Sequence, residues 1–486
     1  SAIFGTLTVL GIFFLTELLF RGASTAWSAA GGITSSEIAG LLASFFTATS
    51  FWHINFSRIG FRAITAPFFL TWGLYFFFRF YKNIGSVNSQ TISAALGGLV
   101  FGLGAHSYIA YRITPLLFLL PIYVGIKEYL QNKHSYLAVK PPSGTKKGEG
   151  CFPCMLTLFL FFAFIAALPL GMYFLDHPED FFGRTRQISI FNEQEPSAKL
   201  AENTAKTIGM FWIWGDNNWR HNFAGAPQLA LPVGILFLLG IIFAAASILK
   251  PHALAQRPEK FASAFMLLWL LLMLIPVVIS SEALPHALRA VIAIPPVMML
   301  AAFGLWKIMD RTVRWLEAEK KANPSSALQL GRIGKETAAA LILSLILLTI
   351  NVGDKYLDRW ANHPSVHEAF SARDWRIAEF LQSADPEAEK YIVIGGERLD
   401  PRTVSISAQP ILFGTGTFLP RERATKKYFY LSPDELESRF AALLPANAYI
   451  VFLKEDNREF IRRLQGAYPA ITASAPGDFA LLRITP

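Results

Sequence analysis

Four short polar clusters interrupt an otherwise apolar chain, and their residue types could handle an anion or a sugar. They read WHINFSRIGFR (52–62), AHSYIAYR (105–112), GDNNWRHN (215–222) and SSEALPHALR (280–289). Arg58, Arg62, Arg112 and Arg289 stand out. A guanidinium near hydrocarbon costs a few kcal/mol unless paired or wet. Its planar fork binds phosphate in bidentate fashion, which Lys cannot do. The alternative is snorkelling to lipid headgroups. In the third cluster a carboxylate, three amides, an indole, a guanidinium and an imidazole fall within seven residues, Asp216 to Asn222. Asp216, Asn218, Trp219, Arg220 and His221 are therefore candidates for sugar or acceptor contact, against a turn-rich connector with a Trp at the interface.

The other candidates carry plainer alternatives. His53 could shuttle a proton or bond an acceptor, or simply bond a carbonyl. Tyr108 and Tyr111 suit a sugar pocket or an aromatic belt, and Tyr108 and Arg112, four apart, would share a helix face. Glu282 and His286 flank the last external turn, with His286 and Arg289 three apart. Glu282 and His286 are two zinc-type ligands, short of a site. Asp176, His177, Glu179 and Asp180 could hold a metal or cap a helix. No cofactor is expected; a divalent metal is possible but has no support in the sequence.

The elements that must position these groups are transmembrane. Of 486 residues, 53% are hydrophobic and 16% charged, against about 25% charged in soluble proteins. Apolar runs approach or exceed the roughly 18 to 20 residues that cross a bilayer. They lie near 1–20, 36–52, 62–80, 92–110, 113–130, 153–175, 229–249, 261–279, 288–306 and 335–352. Each must be helical, because lipid offers the backbone no partner. The net charge of +9 does not imply nucleic acid. Its excess lies in alternate loops, at Lys82, at Lys133, Lys140, Lys146 and Lys147, at Lys250, Arg257 and Lys260, and at Lys307, Arg311, Arg314, Lys320 and Lys321. By the positive-inside rule these loops are cytoplasmic. All four polar clusters then share the opposite face, together with the N-terminus and the 353–486 tail.

The loop 131–152 reads as a flexible connector. WLEAEKKA (315–322) reads as a short surface amphipathic helix. Cys151 and Cys154 form an isolated CxxC, read as two small apolar residues at a membrane edge. In the tail, 391–396, 449–454 and 479–484 read as strands and 371–382, 432–444 and 455–465 as helices, with Ser432 and Glu435 forming a capping box. The expected fold class is an α-helical polytopic membrane protein of about ten helices, residues 1–352, with a small extracytoplasmic α/β domain, residues 353–486.

The succession FWHINFSRIGFRA, GLGAHSYIAYRITPLL, HPEDFFGRTRQISIF, GDNNWRHNFAGAP and PHALRAVIAIPP resembles bacterial membrane glycosyltransferases of the GT-C superfamily. More narrowly it resembles the protein-mannosyltransferase and aminoarabinose-transferase relatives. The resemblance covers residues 1 to about 310. It implies an inverting transfer at the outer face of the plasma membrane, from a polyprenyl-phosphate-linked sugar to a glycan, lipid or protein acceptor. Arg58, Arg62, Arg112 and Arg289 would hold the lipid phosphate. His53, Tyr108, Tyr111, Asp216, Asn218, Trp219, Arg220, His221, Glu282 and His286 would contact sugar or acceptor. The base of such enzymes lies in a first external loop that is expected upstream of this chain. No residue present takes that role, Asp216 included. A lipid-linked-sugar flippase, or an anchor displaying the tail, are the competing readings. The first would put charges at the bilayer midplane, and the second needs one helix rather than ten.

Overall fold

The computed structural model describes residues 1–23, 25, 32–130, 151–251, 254, 257–394, 405–453, 458–474 and 479–484. The connector 131–150, with its four lysines, and the ends of the expected tail elements at 395–396 and 454–457 lie outside the described residues. The chain divides into two compact units, Ser1–Ala361 and Asn362–Pro486.

The first unit is helical. Its elements are α1 (Ala2–Phe20), α2 (Ser35–Ala48), α3 (Phe51–Arg58), α4 (Thr65–Tyr81), α5 (Val87–Leu103), α6 (Leu119–Leu130), α7 (Phe152–Asp176), α8 (Pro178–Gln187), α9 (Pro196–Gly209), α10 (Leu231–Ile248), α11 (Pro258–Val278), α12 (Ile294–Ala322) and α13 (Ala327–Asp354). Among the described residues, eight helical segments are long and apolar enough to cross a membrane. The two expected spans outside that set are α2 and α5, with 14 and 17 residues. Both are helical but shorter than the expected spans, ending at Ala48 and Leu103. Thr34 and Glu37 form a capping box that starts α2, and Ser86 caps α5 through the Ser89 N–H.

Glycines set how closely the spans approach. A Cβ on Gly240 of α10 would lie 1.9 Å from the Leu300 carbonyl oxygen of α12, and one on Gly304 of α12 would lie 2.2 Å from that of Leu236 in α10. Each helix therefore admits the other's backbone, the small-residue packing that membranes favour where water supplies no hydrophobic drive. Lys82, read as part of a basic cytoplasmic loop, is fully buried. Its ammonium donates to the Leu18 and Leu19 carbonyls at 2.7 and 3.1 Å, closing the C-terminal end of α1.

Three local expectations are corrected. WLEAEKKA is not a separate surface helix, because α12 continues unbroken to Ala322. No helix-breaking residue separates the two stretches, so the backbone ladder simply propagates. Tyr108 and Arg112 do not share a helix face: α5 ends at Leu103, Tyr108 is extended, and a 3-10 segment starts at Ile109. Cys151 and Cys154 are joined by a disulfide. Cys151 caps α7 and Cys154 lies one turn in, which puts their Cα atoms 5.2 Å apart, within bridging range.

The second unit has a five-stranded sheet in the order β2-β1-β3-β5-β4. Its strands are β1 (Glu389–Val393), β2 (Tyr428–Leu431), β3 (Ala448–Phe452), β4 (Ile471–Ser474) and β5 (Leu481–Ile484). The first three neighbours are parallel and the last two pairings antiparallel. Its helices are α14 (Pro364–Ala369), α15 (Ala372–Ser383), α16 (Gln409–Thr415), α17 (Pro420–Thr425), α18 (Pro433–Ala442) and α19 (Arg458–Ala467). One face of the sheet packs Ile392, Tyr430 and Val451 against Ile377 and Leu412. The other packs Tyr391, Ile450 and Leu482 against Leu436 and Leu464. Burial on both faces explains the continuous apolar runs of the central strands β1 and β3, which show no alternation. The expected Ser432–Glu435 capping box is present.

Candidate functional site

Three segments between spans meet at one end of the first unit: α3 with its following turn, residues 215–226, and residues 280–289. The Trp52 indole donates to the Ala287 carbonyl at 3.0 Å. The Asn55 side-chain amide donates to the Arg220 carbonyl at 2.8 Å. His221 packs on Phe56 and Phe61 with ring centroids 5.8 and 5.9 Å apart. These contacts join residues more than 150 positions apart, so they follow from helix packing and not from local sequence.

Asp216 is the hub of the cluster and is 4% exposed. One carboxylate oxygen accepts the Asn218 N–H at 2.8 Å, a tight Asx turn. The other accepts the Ala287 N–H at 2.8 Å and meets His221 Nδ1 at 3.1 Å and His286 Nδ1 at 3.7 Å. The two imidazoles stack with centroids 5.0 Å apart. The turn can form because residue 215 is glycine: a Cβ there would lie 2.0 Å from the Ala226 carbonyl oxygen. Burial pushes the His286 imidazole down to about 4, against the opposing pull of Asp216 and with Arg289 and His221 adding to the lowering. His286 is therefore neutral at physiological pH and can act as a ligand or hydrogen-bonding group.

One ligand atom from each of Asp216, His221 and His286 lies within 4.8 Å of the others. A carboxylate and two imidazoles form a donor set that suits zinc-class ions. The sequence pairs Glu282 with His286, whereas in the structure Glu282 faces Arg289. His286 and Asp216 are 70 positions apart, and no spacing rule joins them.

The four arginines, expected to hold one lipid phosphate, occupy different surroundings. Arg289 is 8% exposed and already neutralised. It donates to the Ser280 hydroxyl, to the Glu282 carbonyl at 2.7 Å and to the Glu282 carboxylate at 3.2 Å. Arg112 lies over the Phe181 and Phe174 rings at 4.1 and 4.8 Å and donates to the Phe181 carbonyl. It lines a cavity of about 240 Å³ beside α5 and α7. Arg58, exposed, lies over the Tyr356 ring at 5.5 Å. Arg62 is exposed at the turn after α3. Aromatic faces and carboxylates compete with phosphate for a guanidinium, and arginine spacing along the chain does not reveal which has won.

Several other candidates serve the local fold. His53 is buried, with Nε2 at 3.1 Å from the Gly5 carbonyl. Tyr111 is buried and its hydroxyl donates to the Phe101 carbonyl. The Tyr108 carbonyl accepts the Tyr111 N–H. Asn218 accepts the Arg220 N–H through its side chain at 2.9 Å. The Trp219 carbonyl accepts the Trp360 indole N–H, and its ring packs on Phe223. Asn222, quoted in the motif but given no role, bonds the Asp216 and Ala226 carbonyls and closes the turn. Asp180 accepts the Tyr173 hydroxyl at 2.5 Å, and His177 stacks on Tyr173.

No family model matches the chain, and no curated protein does. Among solved structures it is similar to ArnT from Cupriavidus metallidurans bound to undecaprenyl phosphate, with 13% identity and a TM-score of 0.48, over 100% of this chain and 84% of that one. It is also similar to the archaeal oligosaccharyltransferase AglB from Archaeoglobus fulgidus in complex with an inhibitory peptide and a dolichol-phosphate, with 13% identity and a TM-score of 0.43, over 98% and 62%.

Proposed function

We propose that this protein is an inverting glycosyltransferase that moves a sugar from a polyprenyl-phosphate carrier to an acceptor at the outer face of the plasma membrane. The observation that carries the reading is the convergence of residues 51–62, 215–226 and 280–289 on the buried carboxylate of Asp216. The resemblance of these same segments to GT-C enzymes supports it. Their shared face follows from the alternation of basic loops.

In this reading the exposed guanidinium groups of Arg58 and Arg62 meet the departing lipid phosphate, where negative charge grows as the glycosidic bond breaks. Asp216, His221 and His286 act as a clasp that fixes the 215–226 segment against 280–289. Asp216 is a positioning residue, since its oxygens already accept two backbone N–H groups. Arg289 positions the last external turn through Glu282. Asn218, Trp219 and Arg220 lie on the surface of the same segment, facing sugar or acceptor. A divalent ion held by Asp216, His221 and His286 would supply positive charge at this clasp. The acceptor's base is assigned to no residue of the chain.

The test uses the protein in proteoliposomes with a radiolabelled polyprenyl-phosphate sugar and a mixed acceptor extract. Transfer of label should fall by about 100-fold when Arg58 and Arg62 are both replaced by Ala, on the scale of lost oxyanion donors. Unchanged transfer in that double variant would remove the assigned roles. Label that crosses the bilayer still attached to its carrier would replace the enzyme with a flippase.

A further inference from the structure

The second unit carries an apolar patch that its own core does not use. Among its described residues, six large apolar side chains are exposed. Five of them, Trp375, Ile406, Phe413, Phe418 and Leu419, fall on two adjoining segments, and only Leu443 lies elsewhere. Single exposed apolar residues need no explanation, but a contiguous group does.

The fold builds this patch. Gln382 donates to the Gly414 carbonyl, and a Cβ on Gly414 would lie 2.6 Å from that of Ala378. α16 therefore lies close on α15, which brings the Phe413 and Trp375 rings to 6.5 Å. Ile411 and Leu412 point into the core, so Phe413 points out. Left-handed Gly416 then ends α16, with the Thr417 N–H donated to the Leu412 carbonyl at 3.0 Å. The buried Thr417 hydroxyl is tied to those of Thr415 and Tyr430, which leaves Phe418 and Leu419 facing outward.

Three observations choose the occupant. Ile406 and Phe413 are 86% and 78% exposed, so they protrude and line no pocket for a small ligand. Residues 405–427 carry four basic side chains and one acidic one, Glu422, whose carboxylate accepts the Leu419 N–H at 3.0 Å. Only residues 355–363 separate α13 from α14, about 35 Å of chain at full extension. The apolar stretch through α13 is long enough to cross a membrane. Such a tether holds the second unit near a bilayer surface, where even a weak contact is occupied because its effective concentration is high. Protruding aromatic and aliphatic side chains beside cations suit a membrane interface. We propose that this patch rests on the bilayer, with Ile406, Phe413, Phe418 and Leu419 entering the interfacial layer and the exposed Arg421 facing anionic headgroups. The partner is bulk phospholipid and not the sugar carrier, and the contact does not depend on the protein's being a glycosyltransferase.

The experiment uses the full chain in nanodiscs of phosphatidylcholine and phosphatidylglycerol. A nitrobenzoxadiazole probe is attached at Leu419→Cys or, as a control, at Leu443→Cys. Labelling is done under non-reducing conditions, which keep the Cys151–Cys154 disulfide closed. Leu443 follows α18, which packs on the other face of the sheet. Phosphatidylcholine spin-labelled high on its acyl chain quenches a probe that enters the interface. Emission at position 419 should shift to the blue and fall by about half, as for an apolar face seated ~5–10 Å into the headgroup boundary. Emission at position 443 should not change. Quenching should be lost when Phe413→Ser and Phe418→Ser are combined, and these exposed positions should leave the unit folded. It should weaken without phosphatidylglycerol and in Arg421→Ala. No quenching at 419, equal quenching at both positions, or quenching indifferent to the double variant overturns the proposal. A blue shift without quenching also overturns it and gives the patch to a second copy of the chain. Quenching unchanged both without phosphatidylglycerol and in Arg421→Ala overturns the part given to anionic headgroups.

Discussion

Lys390 in the second unit and Gln228 in the first are both buried polar side chains, yet they are treated oppositely. The Lys390 ammonium is 2% exposed and donates to three carbonyls, of Asp385, Pro386 and Ala388, at 2.8, 3.1 and 2.9 Å. Gln228, at 4% exposure, has no partner for either side-chain atom. The same contrast holds for the groups around them. In the second unit Thr415, Thr417 and Tyr430 bond one another within the core. In the first, the polar groups at one end of the helices gather around the Asp216 clasp without reaching the Gln228 amide. A completed network stabilises the fold, whereas a buried group left unpaired carries a desolvation cost.

That comparison can be broken in several ways. The largest effect belongs to Asp216→Ala, which strips acceptors from the Ala287 and Asn218 N–H groups and the partner of His221. Stability should fall by about 3 kcal/mol, the sum of unsatisfied buried donors. Thermal unfolding would show this, and sugar transfer should fall with it. An Asp216→Ala protein as stable as the wild type would mean that the three segments are held by other contacts. Lys390→Met should cost the second unit about 2 kcal/mol, because three carbonyls lose their donor. Faster amide exchange along β1 is the measurement. If exchange there is unchanged, the lysine network is ornamental to the unit's fold.

Gln228→Met should act with the opposite sign. It should raise stability by about 1 kcal/mol, since it removes a desolvated amide that bonds nothing in the protein. A fall of similar size would show that a tightly held partner had been lost. The smallest change in stability is expected for Arg58→Ala, within about 0.5 kcal/mol for an exposed side chain. Its transfer rate should nonetheless drop, which separates a ligand-facing arginine from the Glu282-bound Arg289. Equal stability losses in Arg58→Ala and Arg289→Ala would erase that distinction.

Much of the architecture was legible in the chain. The apolar runs locate the spans, the Ser432–Glu435 box starts α18, and the runs at 391–394, 449–452 and 481–484 mark three strands. Two further strands were not read from the chain: β2, Tyr-Phe-Tyr-Leu between two lysines and the Ser432 cap, and β4, whose Thr, Ala and Ser are equally at home in a loop. Gln228 gave one faint signal, a single amide in an otherwise apolar stretch before α10. The backbone N–H of Ala287 gave none, since any residue presents a backbone donor.

The amino-acid sequence by itself determined which stretches are helical and apolar and which loops carry positive charge. Those properties depend on composition over a window and on the chemistry of lipid, and both are local. Only the tertiary structure decided which polar group meets which. It placed Asp216 between His221 and His286, gave Arg289 to Glu282 and Arg112 to a pair of phenylalanines, and left the Gln228 amide buried and unpaired. The reason is that side-chain pairing is settled over a few ångströms by helices packing through glycines far apart in the chain, at distances that spacing along the sequence does not encode.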